Sequence, residues 1–393
     1  MTATLPTNTP APAPAPALEP EPGPRNEPAP PPTSVAPPRL YALDLLRFGA
    51  AMAVVLYHTL PVVALRSFVS VEDLVGHPLA KLSAYGWLGV QLFFLISGFV
   101  ICMSSWGRRP TQFFTSRVTR LMPAYVLAVL ITAAVLTLWP DPDPNAHPVT
   151  MRRLLANLTM YQFHLGQEHI DPVYWTLVIE VTFYVLFLGL VVAGLTYKRV
   201  VAFCLVWTVA SFYAQASHSA LLSTVLVPTY APFFVAGIVL YLMHRFGRNL
   251  MLWMTLAVTF ALAAQSVIEE TDARSQRGDQ INSTNATLAL VAFYVVMIGV
   301  ACGWFDWIRW RGLVLVGALT YPLYLLHDVI GATIARETLF VLGPYQMLAV
   351  TLGGPLLLAY LVYRLWERPA ARWIGRNLRS SFAQMRAQGR PRS

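Results

Sequence analysis

Charged side chains are scarce in this sequence: Asp, Glu, Lys and Arg make up 12% of its 393 residues, about half the share of an ordinary soluble domain. That scarcity excludes a conventional water-facing surface. Its complement is a 56% hydrophobic content and a mean hydropathy of +0.53. These residues come as repeated long apolar runs, which a bilayer core about 30 Å thick requires at roughly twenty residues per helical span. Cysteine is nearly missing as well. Cys102, Cys204 and Cys302 all fall inside apolar runs, without the close spacing of a zinc site or disulfide framework, and read as packing residues. There is no H-E-x-x-H, Walker A or G-x-G-x-x-G pattern, and His77, His147, His164, His169 and His218 lack metal-ligand spacing, so no metal is expected. Nor is there an internal repeat of the kind many transporters carry. The net charge of +9 would suit a polyanion, but excess positive charge in a membrane protein collects in its inner loops, and nucleic acid is not an expected partner.

What is present is an ordered series of apolar segments. Residues 1–38 are dominated by Pro and Ala, lack the apolar segment of a signal peptide, and are expected to form a disordered cytoplasmic tail. Beyond them, ten spans fall near 41–64, 85–105, 121–139, 173–195, 200–215, 223–243, 250–268, 287–303, 312–332 and 345–364. The expected fold is therefore an all-α polytopic membrane protein of about ten transmembrane helices, with a membrane domain over 39–366 and a basic cytoplasmic tail over 367–393. Placing both termini inside puts 20 of the 28 basic residues in inner segments and 7 in outer ones, leaving Arg47 within the first span. Every inner loop is then basic, as the positive-inside rule demands. Two longer polar loops, 140–172 and 269–286, fall outside, each with four acidic and two basic residues.

Ionisable groups within lipid need a partner, a cavity or a function. In the first span Arg47 and His58 stand eleven residues apart, about 20° past three full turns and about 16 Å along the axis, so they share one helix face. Asp44 lies one turn before Arg47 and can pair with it. A snorkelling Arg and a His bonded to a backbone carbonyl would account for the same residues. Glu180 sits inside the fourth span, where it needs a cation or a proton, and could orient an imidazole on a neighbouring helix. Tyr321, Tyr324 and His327 track along one face of the ninth span with Asp328 beside them; aromatic-belt anchoring explains the tyrosines equally well, but not the histidine. Ser97 and Gly98 in the second span allow close helix approach, and Ser97 lacks the G-x-S-x-G setting of a nucleophile. After that span, Arg117 and Arg120 stand on one side of a short helix, a pairing suited to a phosphorylated ligand; Arg108 and Arg109 are explained by topology alone.

Together these segments resemble the acyltransferase-3 family of integral membrane O-acyltransferases, which includes O-antigen and exopolysaccharide acetylases and macrolide acyltransferases. The resemblance is carried by L-D-x-x-R with R-x10-H (Leu43, Asp44, Arg47, His58), FFxISGF (Phe93 to Phe99) and R-x-x-R-L-x-P-x-Y (Arg117 to Tyr125). It is completed by the W-[ST]-L-x-x-E-x-x-F-Y block (Trp175 to Tyr184) and Y-P-L-Y-L-L-H (Tyr321 to His327), all in family order over roughly 39–366. Thr320 stands where the family pattern has Ser, which keeps a hydroxyl, and no SGNH esterase-like domain follows the tenth span, so a stand-alone enzyme is expected.

The resemblance implies transfer of an acyl group, usually acetyl, from cytosolic acyl-CoA to a hydroxyl of a sugar, glycan, lipid-linked saccharide or related acceptor, with no permanently bound cofactor. It gives His58 the role of general base, with Glu180, or Asp328 with His327, orienting it. Arg117 and Arg120 would hold CoA phosphates and Arg47 would contact the donor deeper in the groove. The expected location is the cell membrane of a bacterium, the Arg-over-Lys usage and Ala/Pro-rich start suggesting a high-GC one. A transporter or flippase using the same buried Arg, His and Glu as a proton or substrate pathway is the alternative; the absence of repeats and of Gly/Pro-interrupted helix pairs at corresponding positions speaks against it.

Overall fold

In lipid every backbone N–H and C=O must find its partner within the chain, and consecutive apolar residues achieve that most directly as helices. The computed structural model describes Thr2 and residues 40–143, 147–278 and 280–388, and contains no strand among them. The Pro/Ala-rich stretch 1–38 lies outside the described residues, Thr2 excepted. In chain order the helices are α1 (Tyr41–Ser67), the short α2 (Val71–Val75) and α3 (His77–Ser83), α4 (Gly89–Ser105), α5 (Pro110–Leu138), the short α6 (Met151–Leu158), α7 (Trp175–Ala193) and α8 (Tyr197–Ala216). Then follow α9 (Ala220–Leu226), α10 (Ala231–Phe246), α11 (Leu250–Gln276), α12 (Ser283–Ala301), α13 (Leu313–Leu326), α14 (Asp328–Glu337), α15 (Pro344–Leu361) and α16 (Arg368–Gln388). Among the described residues, 9 helices are long and apolar enough to cross a membrane, and a tenth span results if α13 and α14 are counted as one bent pair.

The bundle has a centre and a rim. The apolar window around α4 is 83% buried and that of α9–α10 is 72% buried, whereas those of α7 and α8 are only 33% buried and turn residues such as Val185, Val206 and Phe212 outward. Apolar side chains facing outward are stable here because the surrounding solvent is lipid. At the centre α4 packs along α10 more closely than any other pair. Two glycines permit this. A Cβ on Gly98 would collide with the carbonyl oxygen of Phe234, and one on Gly237 with the carbonyl oxygen of Leu95. Small residues bring helix backbones together in this way where no hydrophobic force acts between helices. Gly98→Leu or Gly237→Leu should therefore cost ~3 kcal/mol or more and abolish a monodisperse size-exclusion peak in detergent. Gly353→Leu, at a position with no neighbouring atom within 4 Å, should leave that peak intact.

Several elements differ from the sequence reading. Arg117 and Arg120 do not occupy a separate short helix: α5 begins at Pro110, where proline suits the first turn, and runs unbroken through Pro123 into the third span. The polar stretch 269–286 is largely helical, because α11 continues to Gln276 and α12 starts at Ser283. The ninth span is broken, with α13 and α14 meeting at a 65° bend at His327. After α15 the chain passes through a π-helical turn, Val362–Glu367, into α16, so residues 368–388, read from their charge as a tail, form a helix packed on α5.

Candidate active site

Five helices, α1, α4, α5, α7 and α13, enclose a cavity of ≈ 120 Å³ between them. Three guanidiniums line it: Arg47 from α1, and Arg117 and Arg120 from α5. Glu180 of α7 is the only carboxylate among the lining residues. It accepts hydrogen bonds from Ser97 Oγ of α4 (3.1 Å) and from Tyr184 Oη one turn along α7. Each arginine is held in turn. Arg117 donates to Ser104 Oγ (3.4 Å) and Ser116 Oγ (3.2 Å) and stands over the Phe113 and Tyr184 rings. Arg120 pairs at 3.3 Å with Glu367, a buried carboxylate from the π-helical turn, and lies over the Tyr321 ring. Arg47 stands 4.0 Å from Asp44, and Asp44 fills the space that a side chain on Gly317 of α13 would need. Asp44 and Glu367 stand behind Arg47 and Arg120 rather than among the lining residues, so the wall of the cavity itself presents three guanidiniums and one carboxylate, groups suited to a negatively charged ligand.

Tyr324 connects this cavity to a second constellation. Its ring lines the cavity and its hydroxyl lies 3.0 Å from Thr176 Oγ1, while its carbonyl oxygen lies 2.8 Å from His327 Nδ1. A carbonyl can only accept, so His327 Nδ1 carries the proton of that bond. His327 Nε2 is 3.0 Å from His58 Nδ1, and the two rings stack within 3° of parallel. With both imidazoles neutral, His327 Nε2 must accept and His58 Nδ1 must donate. The lone pair of His58 then resides on Nε2, free to take a proton. Asp328 Oδ1 stands 3.7 Å from His58 Nδ1, positioned to balance the imidazolium that results. The exposures separate the two rings: 29% of the His58 side chain is open, whereas His327 is 1% exposed. His58 alone of the pair can meet a substrate.

The bend that places His327 here interrupts a helix at membrane depth, so its freed backbone groups need partners. Asp171 and Tyr174, just before α7, provide them. Asp171 is fully buried; its Oδ2 accepts from Val329 N (3.3 Å) in the first turn of α14 and its Oδ1 from Val173 N (3.2 Å). Tyr174 Oη donates to Leu325 O (3.3 Å) in the last turn of α13. Neither residue stands out in the sequence. The D-P-x-Y-W run before the fourth span is their only signal, and nothing in it foretells a partner more than 150 positions away.

The predicted residues thus divide between two places. Arg47, Arg117, Arg120, Glu180, Tyr321 and Tyr324 line the cavity, and His58, His327 and Asp328 form the imidazole cluster. Glu180 makes its bonds to Ser97 and Tyr184, and Asp328 and His327 are the groups beside His58. Ser97, read mainly as a packing residue, is a polar partner in the cavity, while Gly98 does the packing. Thr320 lines the cavity with its hydroxyl bonded back to Val316 O (3.3 Å). Tyr321 and Tyr324 are 9% and 7% exposed, which rules out an aromatic-belt role. Trp175 turns the other way: its ring lies tilted against Tyr230 at 5.4 Å and, with His164, His169 and His218, it lines a groove of ≈ 620 Å³ on the opposite face of α7.

A multi-pass helical bundle with an anion-complementary cavity beside a poised imidazole has the parts of a membrane group-transfer enzyme. A family model described as an acyltransferase domain matches residues 40–365, and the chain belongs to the acyltransferase-3 family. It is 29% identical over 300 residues, 73% of this chain and 90% of the relative, to the exopolysaccharide production protein ExoZ of Rhizobium meliloti strain 1021. Over 154 residues, 38% of each chain, it is 29% identical to the acyltransferase MdmB of Streptomyces mycarofaciens. No solved structure matches it significantly. The protein is a membrane acyltransferase.

Proposed function

We propose that this acyltransferase moves an acyl group, acetyl in the first instance, from acyl-CoA to a hydroxyl of a sugar, glycan, lipid-linked saccharide or similar acceptor. The observation that carries the reading is the His58–His327 contact at 3.0 Å, whose geometry leaves the outer nitrogen of a partly open imidazole unprotonated. His58 Nε2 removes the proton of the acceptor hydroxyl as its oxygen attacks the thioester carbonyl carbon; the C–S bond breaks and the CoA thiolate leaves with that proton. Asp328 balances the transient imidazolium. Arg117 and Arg120 hold the donor's phosphates and Arg47 contacts it nearer the reacting end. The basic inner loops support a cytoplasmic placement of both termini, and with that orientation these arginines face the cytosol and His58 lies deeper. The similarity to ExoZ, an exopolysaccharide production protein, supports a saccharide acceptor.

One feature favours the alternative, a transporter: among the described residues, the bent α13–α14 pair is a broken helix of the type carriers use for binding. Purified protein incubated with radiolabelled acetyl-CoA and envelope saccharides should label the saccharide. Mass spectrometry of cells lacking the protein should show loss of one acetyl increment from a glycan or secreted metabolite. Flux of the saccharide across proteoliposomes without label transfer would overturn the acyltransfer reading.

A further inference from the structure

A second basic groove, of ≈ 560 Å³, lies between the first turns of α5 and the helix α16, at the end of the bundle where Arg117 and Arg120 enter the central cavity. Arg108, at the start of this groove, and Arg379, from α16, line it, and no carboxylate is among its lining residues. Partial burial, and after it the nearby Arg117 guanidinium, lowers the pKa of Arg108 from its ordinary value. Gln112 turns its amide to the groove as well; its Oε1 accepts from Arg109 N (3.0 Å), leaving the NH2 group as a donor. The hydroxyls of Thr115 and Thr119 give their protons to carbonyl oxygens one turn back (2.8 and 2.7 Å) and so face the groove as acceptors. Phe382 of α16 supplies a ring. Two guanidiniums and an amide donor, with hydroxyl acceptors and an aromatic face, are the groups that recognise a phosphorylated nucleoside: the cations take the phosphate, the acceptors the ribose and base donors, the ring the base.

The groove adjoins the central cavity. Ser116 lines the groove, and the next residue, Arg117, lines the cavity and donates to Ser116 Oγ at 3.2 Å. Along α5, Thr111 and Arg117 are about 9 Å apart, a distance that the ribose 5′-diphosphate joining the adenosine end of CoA to its pantetheine arm can span. We infer that the α5–α16 groove binds the 3′-phosphorylated adenosine end of the acyl donor, while the arginines of the central cavity hold the donor nearer its thioester. This rests on the reading of acyl-CoA as the donor, and it gives α16 a binding role.

The test is equilibrium binding to the full-length protein in lipid nanodiscs, with acetyl-CoA, acetyl-3′-dephospho-CoA, acetyl-pantetheine and adenosine 3′,5′-bisphosphate as probes. Wild-type protein should bind acetyl-CoA about tenfold or more tightly than the dephospho analogue, and should bind adenosine 3′,5′-bisphosphate alone. Arg108→Gln/Arg379→Gln should lose that discrimination and the bisphosphate, with acetyl-pantetheine affinity unchanged. A double variant that still discriminates, or that weakens acetyl-pantetheine equally, overturns the inference. So does a wild-type protein that ignores the bisphosphate. If the bisphosphate binds through Arg108 and Arg379 but acetyl-CoA does not, the groove stands and the donor reading falls. Running each arm in neutral phosphatidylcholine and in phosphatidylglycerol discs separates the remaining source of phosphate. Anionic lipid that displaces the bisphosphate from wild-type protein would assign the groove to headgroups and overturn its assignment to the donor.

Discussion

His58→Ala is expected to reduce acyl transfer by about 10³-fold at saturating acyl-CoA, within the range a positioned general base supplies, while leaving acyl-CoA affinity unchanged. A loss confined to the rate at saturation identifies an interaction made in the transition state. The partner histidine sharpens the test. In His327→Gln the amide oxygen can still accept the His58 Nδ1 proton and keep the Nε2 lone pair in place; in His327→Leu it cannot, although the volume is similar. His327→Gln should therefore retain at least tenfold more activity than His327→Leu, a gap of about 1.4 kcal/mol. The two should share one thermal midpoint in detergent if His327 acts through the tautomer of His58. Stopped-flow acyl transfer with each variant checks this, and full activity in His58→Ala would end the assignment.

Arg117→Ala/Arg120→Ala should raise the acyl-CoA KM by about 10²-fold or more, since charge-assisted hydrogen bonds contribute roughly 1.5–3 kcal/mol each, with a smaller change in kcat. Removing Arg120 also strands Glu367, which is 5% exposed and bonded to it at 3.3 Å, and an orphaned buried charge costs about 3–5 kcal/mol. The measurement accordingly needs a third substitution, Glu367→Gln, which removes the stranded charge. If the triple variant folds as the wild type does and still shows the raised KM, the loss belongs to the ligand. An unchanged acyl-CoA affinity would take the phosphates away from this pair. Arg117→Lys should recover only part of the affinity, because an ammonium keeps the charge without the planar fork.

The spans were legible because the bilayer imposes a length and a polarity on each one separately, so hydropathy needs no knowledge of neighbours. Arg47, Asp44 and His58 were legible for a similar reason: they share one helix, and 3.6-residue geometry fixes their relative direction. Contacts between helices had no such ruler. Glu180 could be read as buried, but its bond to Ser97, 83 positions away, depends on how α4 and α7 pack. The break at His327 was hidden because Pro322 and Gly331 flank it and neither marks the bend itself. In α16 the charge pattern drew the eye to a tail, although Ile374, Leu378 and Phe382, each four residues apart, carried a helical signal.

The bend between α13 and α14 also has a mechanical meaning. α14 has 10 residues and so is about 15 Å long; a swing of roughly 10° about His327 would carry its far end, near Glu337, through about 2.6 Å. A pivot is the part of a lever that travels least. The stacked imidazoles sit at that pivot, where Asp171 and Tyr174 hold the backbone, while the far end of α14 is tied by buried Ala335 and by Arg336 bonded to Trp139 O, so the nitrogen that takes the proton is displaced least by any shift of the helix.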